Sequence, residues 1–224
     1  MTDKNRGNTY GIMGLVLVCC VVMAFVETVV EPVYAVKSAA KAVVFLLFPL
    51  TFAKAASIRL FDRSFALNKK SVLKLLALGA SIYAIIIGGY ALTTNIFDYA
   101  SLVASLSADQ KVDNGSFIWV ALYISFGNSF LEEFLFRHVS FLQLSKYAAR
   151  KTAYLFSSIL FAVYHIAMIG ASFPLPLLLL AVAGLTVGGL IFDYVDERDQ
   201  TIYNSWIIHL FADFAIMTIW YLHI

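Results

Sequence analysis

The stretch "NSFLEEFLFR", residues 128–137, places three charged side chains in a segment that otherwise has the composition of a membrane helix. They are Glu132, Glu133 and Arg137. A charged side chain at the centre of a bilayer costs at least about 2.5–3.5 kcal/mol, so such residues are rare and usually face a protein interior. The stretch therefore predicts a transmembrane helix with a buried polar site beside it.

The composition of the whole chain supports a membrane setting. Hydrophobic residues make up 61% of the 224 residues and charged residues only 13%, whereas a soluble domain has about 45–50% and about 25%. The length suits one domain and leaves no room for a large soluble part. We therefore expect an all-α, polytopic membrane helical bundle that forms a single integral membrane domain over residues 1–224.

Seven apolar runs are long enough to cross a bilayer at about 1.5 Å per residue. They cover residues 10–34, 39–58, 73–97, 117–144, 152–170, 177–195 and 203–223. The first run follows a basic start, as in a signal peptide, but its length and the two glutamates after it favour a retained helix. The only sizeable loop contains "LVASL", residues 102–106, which we expect to form a short interfacial helix.

The basic residues predict the orientation, because cytoplasmic loops carry an excess of Lys and Arg. They follow the start and alternate spans, at Lys4, Arg6, Arg59, Arg63, Lys69, Lys70, Lys74, Lys146, Arg150 and Lys151. This pattern predicts a cytoplasmic N-terminus and a C-terminus outside. Lys37 and Lys41 argue weakly the other way, and the acidic segment "DYVDERDQ", residues 193–200, gives no indication. A net charge of +2 spread in this way does not indicate a nucleic-acid partner.

The two adjacent glutamates differ in their position around the helix. Glu133 and Arg137 are four residues apart, in the favourable order for an ion pair. Glu132 is rotated about 140° from Arg137 and lines up instead with Asn128, one turn earlier. Glu132 therefore has no predicted cation and is the candidate base, unless it snorkels or pairs with a lysine elsewhere. Lys146 is about 21 Å away along the helix, beyond reach.

Two later spans carry histidines. "FAVYH" ends in His165, and "HLFAD" joins His209 to Asp213 on one helix face. Glu132 and His165 each lie 14 residues, about 21 Å of helical rise, from basic residues of the same boundary. A histidine in an apolar span is more often a packing residue, but matched depths favour a shared pocket. A carboxylate beside an imidazole can activate water, and the same four side chains also resemble a zinc set.

The three motifs together resemble those of the CAAX protease and bacteriocin-processing family of intramembrane proteases, also called the Abi family. The family patterns EExxxR, FxxxH and HxxxN/D stand here in order, beginning at Glu132, Phe161 and His209, in a motif-bearing core of about 117–220. The resemblance implies that Glu132 and His165 activate water and that His209 and residue 213 stabilise the oxyanion. The supporting residues would be Glu133, Arg137, Asn128 and Phe161.

Asp213 departs from the better-known prenyl-protein endopeptidases, which resemble this pattern with asparagine. An ionised aspartate cannot donate a hydrogen bond to an oxyanion. Asp213 must therefore be protonated, orient His209 or bind a metal. No cofactor is favoured, but zinc is possible, with Glu132, His165, His209 and Asp213 as its ligands.

The predicted function is an intramembrane endopeptidase acting on a membrane-anchored protein or peptide within the lipid bilayer. A prenylated C-terminus, a bacteriocin leader and a sorting-signal helix are all suitable substrates. Short loops and small size favour a multi-pass protein of a prokaryotic plasma membrane. The alternatives are a non-catalytic family member that regulates a membrane partner or confers bacteriocin immunity, and an ion- or proton-coupled transporter.

Overall fold

The structure is a computed structural model that describes residues 3–58, 65–66, 71–111 and 115–224. Of the basic residues that carry the orientation prediction, Arg59, Arg63, Lys69 and Lys70 lie outside the described residues, as does the side chain of Lys4. The predicted orientation stays a prediction.

Eight helices account for most of the described chain, and no strand occurs in that part of it. Helix α1 covers 3–30, with a π-helical end at Val26–Val30, and α2 is Tyr34–Ala55. Helices α3 and α4 are Val72–Thr93 and Tyr99–Gln110, and α5 covers 117–146. The last three helices are α6, α7 and α8, which are Arg150–Ile169, Leu175–Asp199 and Tyr203–Tyr221. The predicted all-α helical class is confirmed.

Five of these helices, α1, α2, α3, α6 and α7, are long and apolar enough to cross a membrane, and each corresponds to a predicted span. Their outward side chains include exposed valines, leucines and isoleucines, which would contact acyl chains in a bilayer. The other two predicted spans are α5 and α8, which carry the EExxxR and HxxxD motifs. The count of seven membrane passes stays a prediction.

Helix α4 contains the segment "LVASL", so the predicted short helix is present. Asp98 precedes its first turn, and the Asp98 side chain accepts a hydrogen bond from the Ser101 backbone N–H at 3.1 Å. Aspartate is a preferred N-cap residue because it satisfies one of the free N–H groups of the first turn. The helix therefore begins where this cap is available.

Helix α5 is not a uniform α-helix. It contains π-helical stretches at Tyr123–Asn128 and Glu133–Gln143 and ends in a 3₁₀ turn at Leu144–Lys146. The π-helical conformation is rare in proteins, and where it occurs it is frequently at a functional site. All eleven residues of Glu133–Gln143 are buried. A helix buried on all sides belongs to the centre of a bundle, and this stretch packs against α1, α2, α6 and α7.

The chain divides into two compact units. One unit consists of Met1–Leu67 and Leu131–Ser205, and the other of Asn68–Phe130 and Trp206–Ile224. The core of the first unit includes Phe45, Phe136 and Phe161, whose rings meet edge to face. In the second unit, Val103, Phe117, Ala121, Met217 and Trp220 form a buried cluster. The expectation of a single domain stays a prediction.

Gly79 of α3 marks a close approach to α8 within the second unit. A Cβ atom added there would lie 2.8 Å from Cγ of Phe211, at the base of the ring, where rotation gives little relief. We expect Gly79→Ala to lower the free energy of unfolding by about 1–3 kcal/mol through overpacking. Thermal unfolding in detergent measures this loss.

The matched control is Gly88→Ala on the same helix, because no atom lies within 4 Å of an added Cβ there. That variant should be unchanged or more stable by up to about 1 kcal/mol, since alanine is the better helix former. Equal melting temperatures for the two variants would contradict the close contact of Gly79 with Phe211.

Candidate active site

Glu132 lies at the end of an α-helical turn of α5, and its side chain is only 1% exposed. One carboxylate oxygen, Oε1, is 2.6 Å from Nζ of Lys41 in α2. The other, Oε2, is 3.7 Å from Nε2 of His165 in α6. The favoured expectation that Glu132 has no neutralising cation is therefore wrong, and the alternative of a lysine elsewhere in the chain is the one found, since Lys41 supplies it.

Lys41 was missed as a partner because it was counted, with Lys37, among the charges that follow the first span, although it lies inside the second predicted run, 39–58. Helix α2 begins at Tyr34, so Lys37 and Lys41 lie one turn apart inside it, and both are buried. Lys37 forms a similar ion pair at 2.7 Å with Glu27 of α1. A glutamate in the first apolar run and two lysines at helical spacing were the available signals for these pairs.

The hydrogen bond of His165 defines its tautomer. Nδ1 lies 2.7 Å from the Phe161 carbonyl oxygen. A carbonyl can only accept, so Nδ1 carries a hydrogen, and in the neutral imidazole Nε2 presents a lone pair to Glu132. The Phe161 ring also packs edge-on against the imidazole, with centroids 4.6 Å apart. The FxxxH spacing thus lets one residue orient the histidine through both its backbone and its ring.

Glu132 Oε2 and His165 Nε2 are two hydrogen-bond acceptors at a separation suited to a bridging water. Their 3.7 Å distance is longer than a direct hydrogen bond. A water that donates one hydrogen to each acceptor would have its oxygen lone pairs directed away from both. This arrangement can activate a water molecule for attack on a carbonyl carbon.

Glu133 and Arg137 form the predicted ion pair, with 3.3 Å between Oε2 and Nε and no exposure of either side chain. Asp193 of α7 is a second anion for Arg137, at 3.3 Å from Nη1. Ser157 of α6 accepts a hydrogen bond from the same Nη1 at 2.9 Å. The guanidinium also lies over the Phe161 ring, 4.4 Å from its centroid. Arg137 therefore joins α5, α6 and α7.

Asp193 was not predicted as a partner of Arg137, because it lies where the predicted span 177–195 overlaps the acidic segment 193–200 and was counted with that segment. Helix α7 continues to Asp199, and both Asp193 and Asp196 are completely buried. Asp196 accepts hydrogen bonds from the backbone N–H and the hydroxyl of Ser205, at 2.9 and 2.7 Å. These contacts attach the end of α7 to the start of α8.

His209 and Asp213 are neighbours on α8, with 3.6 Å between Nε2 and Oδ1. They belong to the second unit, as does Asn128, whereas Glu132 and His165 belong to the first. The pairing expected within the motif HxxxD is present. The convergence of the four residues in one pocket stays a prediction.

The zinc prediction is untested by this geometry and stays a prediction. Among the residues that the structure describes, no three His, Cys, Asp or Glu side chains form a group suited to a metal ion. More directly, the Lys41 ammonium lies on Glu132 Oε1 at 2.6 Å, where it competes with a metal for the same lone pairs. The second carboxylate oxygen, Oε2, lies on the side of His165 instead, so a metal bound by Glu132 would use that oxygen.

A comparison with known protein families connects this geometry to a protein class. Residues 114–215 match the model of a family described as Rce1-like, type II CAAX prenyl endopeptidase. This match confirms the resemblance to the CAAX protease family. All three motifs, from Glu132 to Asp213, lie within the matched residues. No curated protein and no solved structure matches the chain significantly. The family is a protease family, and five apolar helices support an integral membrane protein.

Arg137 is expected to be essential for stability. Arg137→Gln leaves Glu133 and Asp193 buried without their shared cation, and breaking a buried ion pair from one side costs about 3–5 kcal/mol. Unfolding by heat or denaturant in detergent measures the change.

Arg150→Gln is the matched control, because Arg150 also connects α6 to α7 by an ion pair with Glu197 at 2.6 Å but is 68% exposed. Solvent screening makes an exposed pair weak, so this variant should unfold almost as the parent does. A loss of stability as large as that of Arg137→Gln would show that burial is not what makes Arg137 important.

Proposed function

We propose that the chain is an intramembrane endopeptidase that hydrolyses a peptide bond of a membrane-anchored or lipid-modified protein or peptide. The observation that carries this proposal is the pair of acceptors formed by the buried Glu132 Oε2 and the partly buried His165 Nε2, 3.7 Å apart. The order of the family motifs supports it.

In the proposed reaction, a water held by Glu132 and His165 attacks the scissile carbonyl carbon while Glu132 takes one of its protons. A new C–O bond forms, and the carbonyl oxygen becomes an oxyanion. The C–N bond then breaks, and Glu132 returns the proton to the leaving nitrogen, so a carboxyl group and an amine are released. A proton acceptor placed in this way contributes about 10²–10⁴-fold to a rate.

His209 and Asp213 are the proposed partners of the oxyanion. A neutral or charged imidazole can donate an N–H hydrogen bond to it, and Asp213 can donate only as a carboxylic acid. The HxxxD spacing that brings His209 Nε2 within 3.6 Å of Asp213 supports a joint role.

The substrate is proposed to reach the site from the bilayer. Glu132 and His165 lie in or beside helices that are apolar enough to span a membrane, which suits a substrate that is itself held in lipid. The matched family's description names a prenyl endopeptidase, so a prenylated C-terminal peptide is the first class to test, followed by a bacteriocin leader and a sorting-signal helix. We further propose a prokaryotic plasma membrane with the N-terminus in the cytoplasm.

Glu132→Gln should abolish cleavage. In liposomes that contain the purified protein and a fluorescent prenylated peptide, kcat should fall at least about 10²-fold, because an amide cannot accept the proton of water. Glu27→Gln is the matched control, since Glu27 forms a similar buried ion pair with Lys37. Full activity of the Glu132 variant, or no cleavage by the parent of any of the three substrate classes, would refute the proposed function.

Asp213→Asn separates the metal-free mechanism from a zinc-dependent one. Without a metal, the variant should retain or exceed parental activity, because the asparagine amide supplies a hydrogen-bond donor at all pH values. Activity and bound zinc are measured on the same purified samples. Stoichiometric zinc in the parent, lost together with activity in the variant, would establish the metal-dependent alternative.

A further inference from the structure

Helix α2 carries two buried lysines that the proposed reaction does not use. Lys37 pairs with Glu27 at 2.7 Å and Lys41 pairs with Glu132 at 2.6 Å, and the lysine side chains are 6% and 4% exposed. The two pairs have the same chemistry and similar burial. They differ in that only Glu132 also lies beside His165.

We propose that Lys41 is a positioning residue for hydrolysis, which keeps Glu132 ionised and directs one of its oxygens at the reacting water. This inference rests on the proposed function. A carboxylate has two oxygens in one plane, so anchoring Oε1 on Lys41 determines where Oε2 lies. Here Oε2 is the oxygen that lies 3.7 Å from His165 Nε2.

The ammonium of Lys41 is itself held in place by aromatic rings. It lies 5.4 Å from the centroid of Phe45 and 5.1 Å from that of Tyr164, and a cation is attracted to ring faces at such distances. Tyr164 directly precedes His165. Two consecutive residues of α6 therefore serve the same site. Tyr164 contacts the lysine that anchors Glu132, and His165 is the second proposed partner of the reacting water.

The positive charge of Lys41 also favours the ionised form of Glu132, in which it can act as a base. A buried carboxylate without a cation is expected to be protonated, because an isolated ion is poorly solvated in an apolar interior. A protonated Glu132 could donate a hydrogen to water but could not remove one. Loss of Lys41 should therefore remove the base while leaving the carboxyl group present.

The kinetic test compares Lys41→Met, Lys41→Arg and the matched control Lys37→Met in the liposome assay. Lys41→Met should lower kcat about 10²-fold or more with little change in KM, as expected when only the transition state is affected. Lys41→Arg keeps the positive charge and should recover part of the loss. Lys37→Met removes the similarly buried partner of Glu27 on the same helix. This variant should keep kcat within about 2–3-fold of the parental value.

Infrared spectroscopy supplies a readout that does not depend on cleavage. Lys41→Met should show the C=O band of a protonated carboxyl group, and this band should be missing in the Lys41→Met/Glu132→Gln double variant. Lys37→Met should not produce a band that depends on Glu132. If Lys41→Met does not fold, Lys41→Gln provides the same comparison with a polar side chain.

The outcomes separate this inference from the proposed function. Inactive Glu132→Gln with fully active Lys41→Met would leave the endopeptidase standing and overturn the role of Lys41. Equal loss of kcat in Lys37→Met and Lys41→Met would make both lysines structural and also overturn it. A parent protein that cleaves no substrate refutes the proposed function, and a missing Glu132 band in Lys41→Met then refutes the ionising effect of Lys41 as well.

Discussion

The packing of the first unit depends on one constraint: acidic side chains buried away from water need cationic side chains beside them. The described acids buried there include Glu27, Glu132, Glu133 and Asp193, and the cations beside them are Lys37, Lys41 and Arg137. Each pairing except that of Glu133 joins different helices. Because an unpaired charge is costly in an apolar interior, these contacts restrict how α1, α2, α5 and α7 can assemble.

Two adjacent glutamates can have separate roles because neighbouring helical residues point in different directions. Glu133 contacts Arg137, which also binds Asp193, so it belongs to a structural network between α5 and α7. Glu132 instead faces α2 and α6 through Lys41 and His165. The structural glutamate and the proposed base thus occupy consecutive positions, and Phe161 contacts a partner of each, namely Arg137 and His165.

Local patterns in the sequence predicted the helical spans, the Glu133–Arg137 pair and the proximity of Glu132 to His165. The missed contacts join residues far apart in the chain: Lys41 and Glu132 are separated by 91 positions, and Arg137 and Asp193 by 56. Apolar runs end where charges begin, so the first turns of α2 and the last turn of α7 were assigned to loops. Those turns contain Lys37 and Asp196. The π-helical stretches of α5 have no comparable compositional signal.

The Lys41–Glu132 pair also affects the charge balance of the proposed reaction. At rest the pair is neutral overall, which limits the cost of placing it among apolar helices. When Glu132 takes a proton from water, the negative charge moves to the oxyanion while the positive charge of Lys41 remains nearby. Charge is therefore displaced rather than created, and in a medium of low dielectric the lysine still attracts the displaced anion.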